Sequence, residues 1–234
     1  MKRNLPFIII GVVLLAAIAA AAIMFRAGNA NSNGAAQETA TANVASPSTA
    51  QRTELPGAQP PHTKGEAGAP VVLEEFGDYQ CPPCGNLHPV LQKIEDDYGA
   101  RVSVVFRNMP LQQIHKNAFA AARAAEAASL QGKFWQMHDM IYETQKDWKD
   151  SPEPRPTFTS YASRLGLDVE KFKADMDKTE TSARIVADIR RAASLGVTGT
   201  PTMFLNGKEL TVDQTLHEEN LRKAIDEALA AKTK

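Results

Sequence analysis

Cysteine is scarce in this chain. Cys81 and Cys84 are the only two in 234 residues. A structural zinc site normally takes four ligands, and His88 is the only histidine close to the pair in sequence. Covalent haem attachment needs a histidine directly after the second cysteine, and Gly85 stands there. An excess of positive charge is also missing. Residues 66–234 hold 21 Lys and Arg against 25 Asp and Glu, a net charge of −4, so no nucleic-acid footprint is present. There is no glycine-rich phosphate loop and no internal repeat, which leaves nucleotide chemistry and solenoid architectures without support.

The chain does have one long apolar run. Lys2 and Arg3 precede an uncharged stretch from Leu5 to Phe25. It exceeds the roughly 7–15 residues of a signal-peptide core and reaches the roughly 20 needed to span a bilayer. We expect residues 1–26 to be a membrane anchor. The small residues Ala27-Gly28-Asn29-Ala30 keep a cleaved signal peptide as the alternative. The N-terminal positive charges predict a cytoplasmic N-terminus and place the rest of the chain outside, single-pass, where disulfide chemistry is favoured. Residues 27–65 are rich in Ala, Asn, Ser, Thr, Gln and Pro and have few large apolar groups. They read as a disordered linker with a coil span of roughly 30–35 Å. Residues 66–234 are then one domain's worth of chain.

Within that domain, the stretch 71–89 concentrates the chemistry. A strand candidate, Val71 to Phe76, leads into Cys81-Pro82-Pro83-Cys84, and a helix candidate leads out, with apolar Val90, Leu91, Ile94 and Tyr98 at helical spacing. The spacing brings both sulfurs to the first turn of one helix, where unpaired N–H groups and the helix dipole favour a thiolate at Cys81. The dipole alone contributes about 0.3–1 kcal/mol, under one pKa unit. Further lowering needs direct N–H···S bonds. Pro82 and Pro83 have no N–H, whereas Cys84 and Gly85 do. A structural disulfide is the bland alternative, but so small a loop would remove little chain entropy. A redox dithiol is the better reading. Pro89 should kink the helix. Glu75 is out of place in an apolar strand, since a buried carboxylate is costly. Glu74 should point to the opposite face, exposed. His88, four residues after Cys84, could share its helix face.

The later chain reads as a second strand, Val102 to Phe106, and then a strandless block with helices expected over 115–133, 134–148, 158–165 and 169–195. An interruption is expected near Thr179 to Ser182. Gly196-Val197-Thr198-Gly199-Thr200-Pro201-Thr202 gives a loop, followed by a strand at Met203 to Leu205 and a turn at Asn206-Gly207. Leu210 and Val212 are expected on the far side of that hairpin. Glu218 to Ala231 is a closing amphipathic helix.

The dithiol, the helix proline, the Thr200-Pro201 loop and the helical block between them together resemble the DsbA-like thiol:disulfide oxidoreductases of the thioredoxin superfamily. The likeness spans about residues 66–232. It implies an α/β thioredoxin-like fold with a helical domain inserted at about 113–195. It implies that Pro201 is cis and lies beside the dithiol, that Thr200 offers its backbone to an extended substrate, and that Pro82 and Pro83 border the same surface. It casts Cys81 as the exposed reacting sulfur, Cys84 as the buried resolving one, and Glu75 as a buried proton-transfer acid. It calls for no cofactor and no metal. The partners it implies are reduced exported proteins and, for an oxidase, a quinone-linked membrane protein that reoxidises it. One departure stands out: the best-known oxidases carry histidine before the second cysteine, where this chain has Pro83. A reductase or isomerase, or a substrate-binding module with an incidental dithiol, are the competing readings.

Overall fold

The computed structural model describes residues 54–232. The Leu5–Phe25 run and most of the expected linker lie outside the described residues. No helix among the described residues is long and apolar enough to cross a membrane.

A five-stranded sheet organises the domain, in the order β1-β3-β2-β4-β5. Its strands are β1 (His62–Lys64), β2 (Val71–Gly77), β3 (Val102–Asn108), β4 (Thr202–Leu205) and β5 (Lys208–Glu209). β2 and β3 run parallel, with Leu73 opposite Val104 and Glu75 opposite Phe106. A parallel pair needs a crossover. It is supplied by α1 (Pro82–Tyr98), which carries Pro89 inside it. The other neighbours in the sheet are antiparallel. Val71 and Leu73 of β2 are fully buried and pack with Leu87, Leu91 and Ile94 of α1.

Between β3 and β4 the chain makes only helices: α2 (Ala118–Ser129), α3 (Phe134–Glu143), α4 (Gln145–Trp148), α5 (Arg155–Arg164), α6 (Val169–Met176) and α7 (Thr179–Leu195). The break before α7 falls at Asp177 and Lys178, just ahead of the expected Thr179–Ser182. Alanines on α2 let neighbouring helices approach closely. Met137, Ile141, Trp148, Phe158 and Phe172 then fill one cluster that also contains Cys81 and Cys84. The helical insertion thus builds the back wall of the dithiol.

Three expectations need correction. The linker does not extend to residue 65: the chain is part of the domain from at least Leu55 onward. Arg191 Nη1 donates to Leu55 O at 2.8 Å, Arg184 donates to Gln59 O and Pro60 O at 2.9 Å, and Ala58 N–H donates to Asp188 Oδ1 at 2.9 Å. Polar composition concealed this, because arginines far along the sequence satisfy backbone groups that water would otherwise hold. Gly57 has φ +74°, and a Cβ there would lie 2.8 Å from Arg107 Nη1, so the strap needs glycine at that point. Glu74 is not an exposed strand residue. Its carboxylate accepts from Arg107 Nε at 2.7 Å and from Arg191 Nε and Nη2 at 2.8 Å. Val212 is not on a hairpin strand. It opens α8 (Val212–Leu216), where Thr211 and Gln214 form a capping box. The closing helix α9 spans Glu218–Lys232.

Candidate active site

β2 aims its C-terminal end at the dithiol, and Cys81 is the N-cap of α1. The loop between them is held by side chains. Asp78 is buried; its Oδ1 accepts Gln80 N–H at 2.7 Å, and its Oδ2 accepts Leu111 N–H at 2.8 Å. His115 Nδ1 lies 2.7 Å from the same Oδ2. From the insertion, Gln145 Nε2 donates to Tyr79 O at 2.8 Å and Cys81 O at 2.9 Å. A Cβ on Gly85 would sit 2.9 Å from the Gln145 amide, so glycine after the second cysteine admits this clamp. Asn117 N–H donates to Gln80 Oε1 at 2.7 Å. Gln80, Asn117 and Gln145 give no local signal as supporting residues, since their partners lie far away in sequence. A glycine directly after the dithiol was the one available signal.

Cys84 is fully buried, and Cys81, expected to be exposed, is itself buried at 5% exposure under the Thr200-Pro201 loop, though less completely than Cys84. Pro82 and Pro83 are exposed beside them. Thr200–Pro201 is a cis peptide bond, and Cys81 Sγ, in its protonated form, donates to Thr200 O at 3.4 Å. The Thr200-Pro201 loop therefore borders the reactive sulfur. Both cysteines are free thiols.

The electrostatics separate the two sulfurs. The Cys81 thiol is lowered from 9.0 to about 6, first by the hydrogen bond from the Cys84 side chain. Burial opposes this, while the Cys84 backbone N–H adds to it and Asp78 works against it. Gly85 N–H is not available to the sulfur, because it donates to Cys81 O at 3.1 Å. Of the two donors expected from sequence, only Cys84 serves. Burial pushes the Cys84 thiol well up, and the bond it gives to Cys81 keeps its proton in place. Glu75 is buried on β2. Desolvation first, then the charges of Cys81 and Glu95, raise its carboxyl to about 8. Glu75 also acts on Cys84, raising it further. One sulfur is thus a thiolate at neutral pH, the second is a thiol, and a protonated acid stands close enough to influence both.

His88 is buried on α1 but is not hydrogen-bonded to the sulfurs. Its ring packs against His138, with centroids 5.3 Å apart, and against Tyr142 at 5.2 Å.

A reactive thiolate, a buried partner thiol and a cis-proline loop on a β2-α1-β3 frame define a dithiol-exchange site. A sequence model of the thioredoxin family matches residues 58–227. The chain belongs to the thioredoxin family. Among solved structures it is similar to oxidised BdbD of Bacillus subtilis, at 24% identity and TM-score 0.65, covering 76% of this chain and 98% of that one. It is similar to DsbA2 of Pseudomonas aeruginosa at 26% identity and TM-score 0.55, covering 70% and 91%. It also resembles a thioredoxin-like oxidoreductase of Silicibacter pomeroyi at 27% identity and TM-score 0.60, covering 72% and 91%. Curated relatives include the Na(+)/H(+) antiporters NhaA 1 of Salinispora arenicola, 37% identical over 147 residues, and NhaA 3 of Salinispora tropica, 38% identical over 147 residues. Those matches cover 63% of this chain and 22% of each antiporter. The chain spans less than a quarter of the length of these relatives.

Proposed function

We propose that this chain forms disulfides in reduced, exported proteins by exchange at Cys81–Cys84, outside the cytoplasmic membrane. The observation that carries the reading is the split between the sulfurs: Cys81 near 6 beside the Thr200 carbonyl, Cys84 fully buried behind it. In the oxidised protein a substrate thiolate attacks Cys81, the only sulfur within reach. Cys84 departs as a thiolate in a site where burial makes that charge costly. Glu75, whose carboxyl burial holds well above its ordinary value, supplies its proton. A second substrate thiolate then attacks the substrate sulfur of the mixed disulfide. Cys81 leaves as a thiolate, and the substrate departs with a new disulfide. Two electrons remain on the dithiol, and a quinone-linked membrane partner would remove them. The backbone flanking cis-Pro201 would pair with the extended substrate, a mode that tolerates many sequences. Exposed Pro82 and Pro83 would border the same contact. The apolar N-terminal run would hold the domain at the membrane.

One magnitude supports this direction. A Cys81 thiol lowered from 9.0 to about 6 stabilises the reduced form at pH 7 by about 1.4 kcal/mol, or about 30 mV for a two-electron couple. We expect the reduction potential, equilibrated against glutathione, to be less negative than the roughly −270 mV of thioredoxin. A value at or below that figure would make the protein a reductase and redirect the search to an electron donor.

A further inference from the structure

Behind Glu75, on the side of α1 that faces the insertion, lies a second group of potential ligands that the exchange chemistry does not use. His88 comes from α1, and His138 and Asp139 come from α3. One donor atom from each lies within 4.8 Å of the others. His88 and His138 are buried. His88 Nε2 is wholly shielded and has no hydrogen-bond partner. The nearest carboxylate oxygen, Asp139 Oδ1, is 3.6 Å away, too far for a hydrogen bond. A buried, unsatisfied ring nitrogen is uncommon and calls for a ligand. These groups border a small polar cavity with Glu75, Lys64 and Glu95, whose open volume of about 10 Å³ is close to that of one water-sized sphere.

From this geometry we infer that His88, His138 and Asp139 form a binding site for a divalent transition-metal ion of the zinc class. Two imidazoles and a carboxylate are a nitrogen–oxygen set suited to zinc, with the fourth position left to water. The two helices present the ligands from a rigid frame. His138 Nδ1 is 3.0 Å from the Tyr79 hydroxyl; with Nδ1–H donating to that oxygen, Nε2 is free for the ion. Donors around a tetrahedral zinc lie about 3.3–3.4 Å apart, so the set must close by up to about 1.5 Å. His88 Nε2 and Asp139 Oδ1 already stand 3.6 Å apart, so the closure falls on the distances to His138. Asp139, whose side chain is 28% exposed, marks the way in from solvent. The positive charge of Lys64 beside the cavity is met by Glu95 Oε2 at 2.6 Å. Neither cysteine belongs to the set, so occupancy does not depend on the redox state of the dithiol or on the exchange reading above.

The test uses the full chain without an affinity tag, with Cys81–Cys84 closed as a disulfide so that neither sulfur can ligate. Titration with Zn2+ should show one ion per chain, and Co2+ should develop the visible bands of a tetrahedral site. Asp139→Asn and His88→Gln should each weaken binding tenfold or more while near-ultraviolet circular dichroism stays that of the parent. Asp139→Asn at a part-exposed position keeps the test valid if His88→Gln does not fold. Absence of binding, a Co2+ spectrum unchanged from the aqueous ion, or equal affinity in the folded variants would overturn the assignment.

Discussion

Replacing Cys84 by serine is expected to turn the protein from a turnover catalyst into a trap. Cys81 would still ionise and still attack an accessible disulfide. The leaving sulfur departs as a thiolate and a mixed disulfide forms at Cys81. No internal thiol remains to displace the substrate, because Cys84 is the only other cysteine in the chain. Turnover should fall by at least ~10³-fold, a loss of the size found when one member of a catalytic unit is removed. Non-reducing electrophoresis should show the adduct accumulating. Cys81→Ser should lose turnover equally and accumulate nothing, since the remaining sulfur is fully buried. Adducts in Cys81→Ser would reverse the assigned order of the sulfurs. Retained exchange in both variants would show the dithiol to be incidental.

Glu75→Gln should stabilise the fold and slow the reaction. The carboxyl is raised to about 8 in the folded state by burial, against 4.5 ordinarily. Between those values the folded protein binds more protons than the unfolded chain, so stability is lost as pH rises through the window. The variant has no such loss. Its advantage should be small near pH 5 and reach on the order of 3–5 kcal/mol above pH 8. Denaturant melts of the disulfide form, in which neither sulfur titrates, isolate the larger part of this effect, the part due to burial. In the proposed mechanism the same substitution withdraws the proton source for Cys84, and the exchange step that expels Cys84 should slow by ~10²-fold. A stability difference that does not change with pH would show that Glu75 is not a buried titrating group.

The sequence legibility of this site follows the range of its interactions. Val71 to Phe76, the C-x-x-C and the start of α1 are contiguous, so their order alone placed the sulfurs at a helix N-terminus. The Thr200-Pro201 loop was identifiable through its resemblance, and Asn206-Gly207 through turn chemistry. What composition concealed was long-range. The strap at residues 55–64 looked like linker because it has little apolar surface of its own. It is ordered by Arg107, Arg184, Asp188 and Arg191, all of them distant in sequence. Glu74 looked solvated by strand alternation and is instead paired with two of those arginines. The Gln145 clamp on the Cys81 carbonyl had no local pattern. The α8 capping box did have one, since Thr211 and Gln214 stand at the capping spacing, but the hairpin signal before it drew Val212 into a strand.

The central claim is that Cys81 is a thiolate at neutral pH while Cys84 keeps its proton. It is tested most directly by titrating the reduced protein, following thiolate absorbance and the rate of alkylation by iodoacetamide. The structure predicts a single ionisation with a midpoint near pH 6, assigned to Cys81 by mass spectrometry of the alkylated protein, with the second thiol protonated beyond pH 9. Because the folded value lies below the ordinary one, the reduced protein should gain stability from this group as pH rises from about 6 to about 9, and lose it on acidification through 6. A Cys81 midpoint at the ordinary cysteine value of about 8.5, or alkylation falling first on Cys84, would contradict the account.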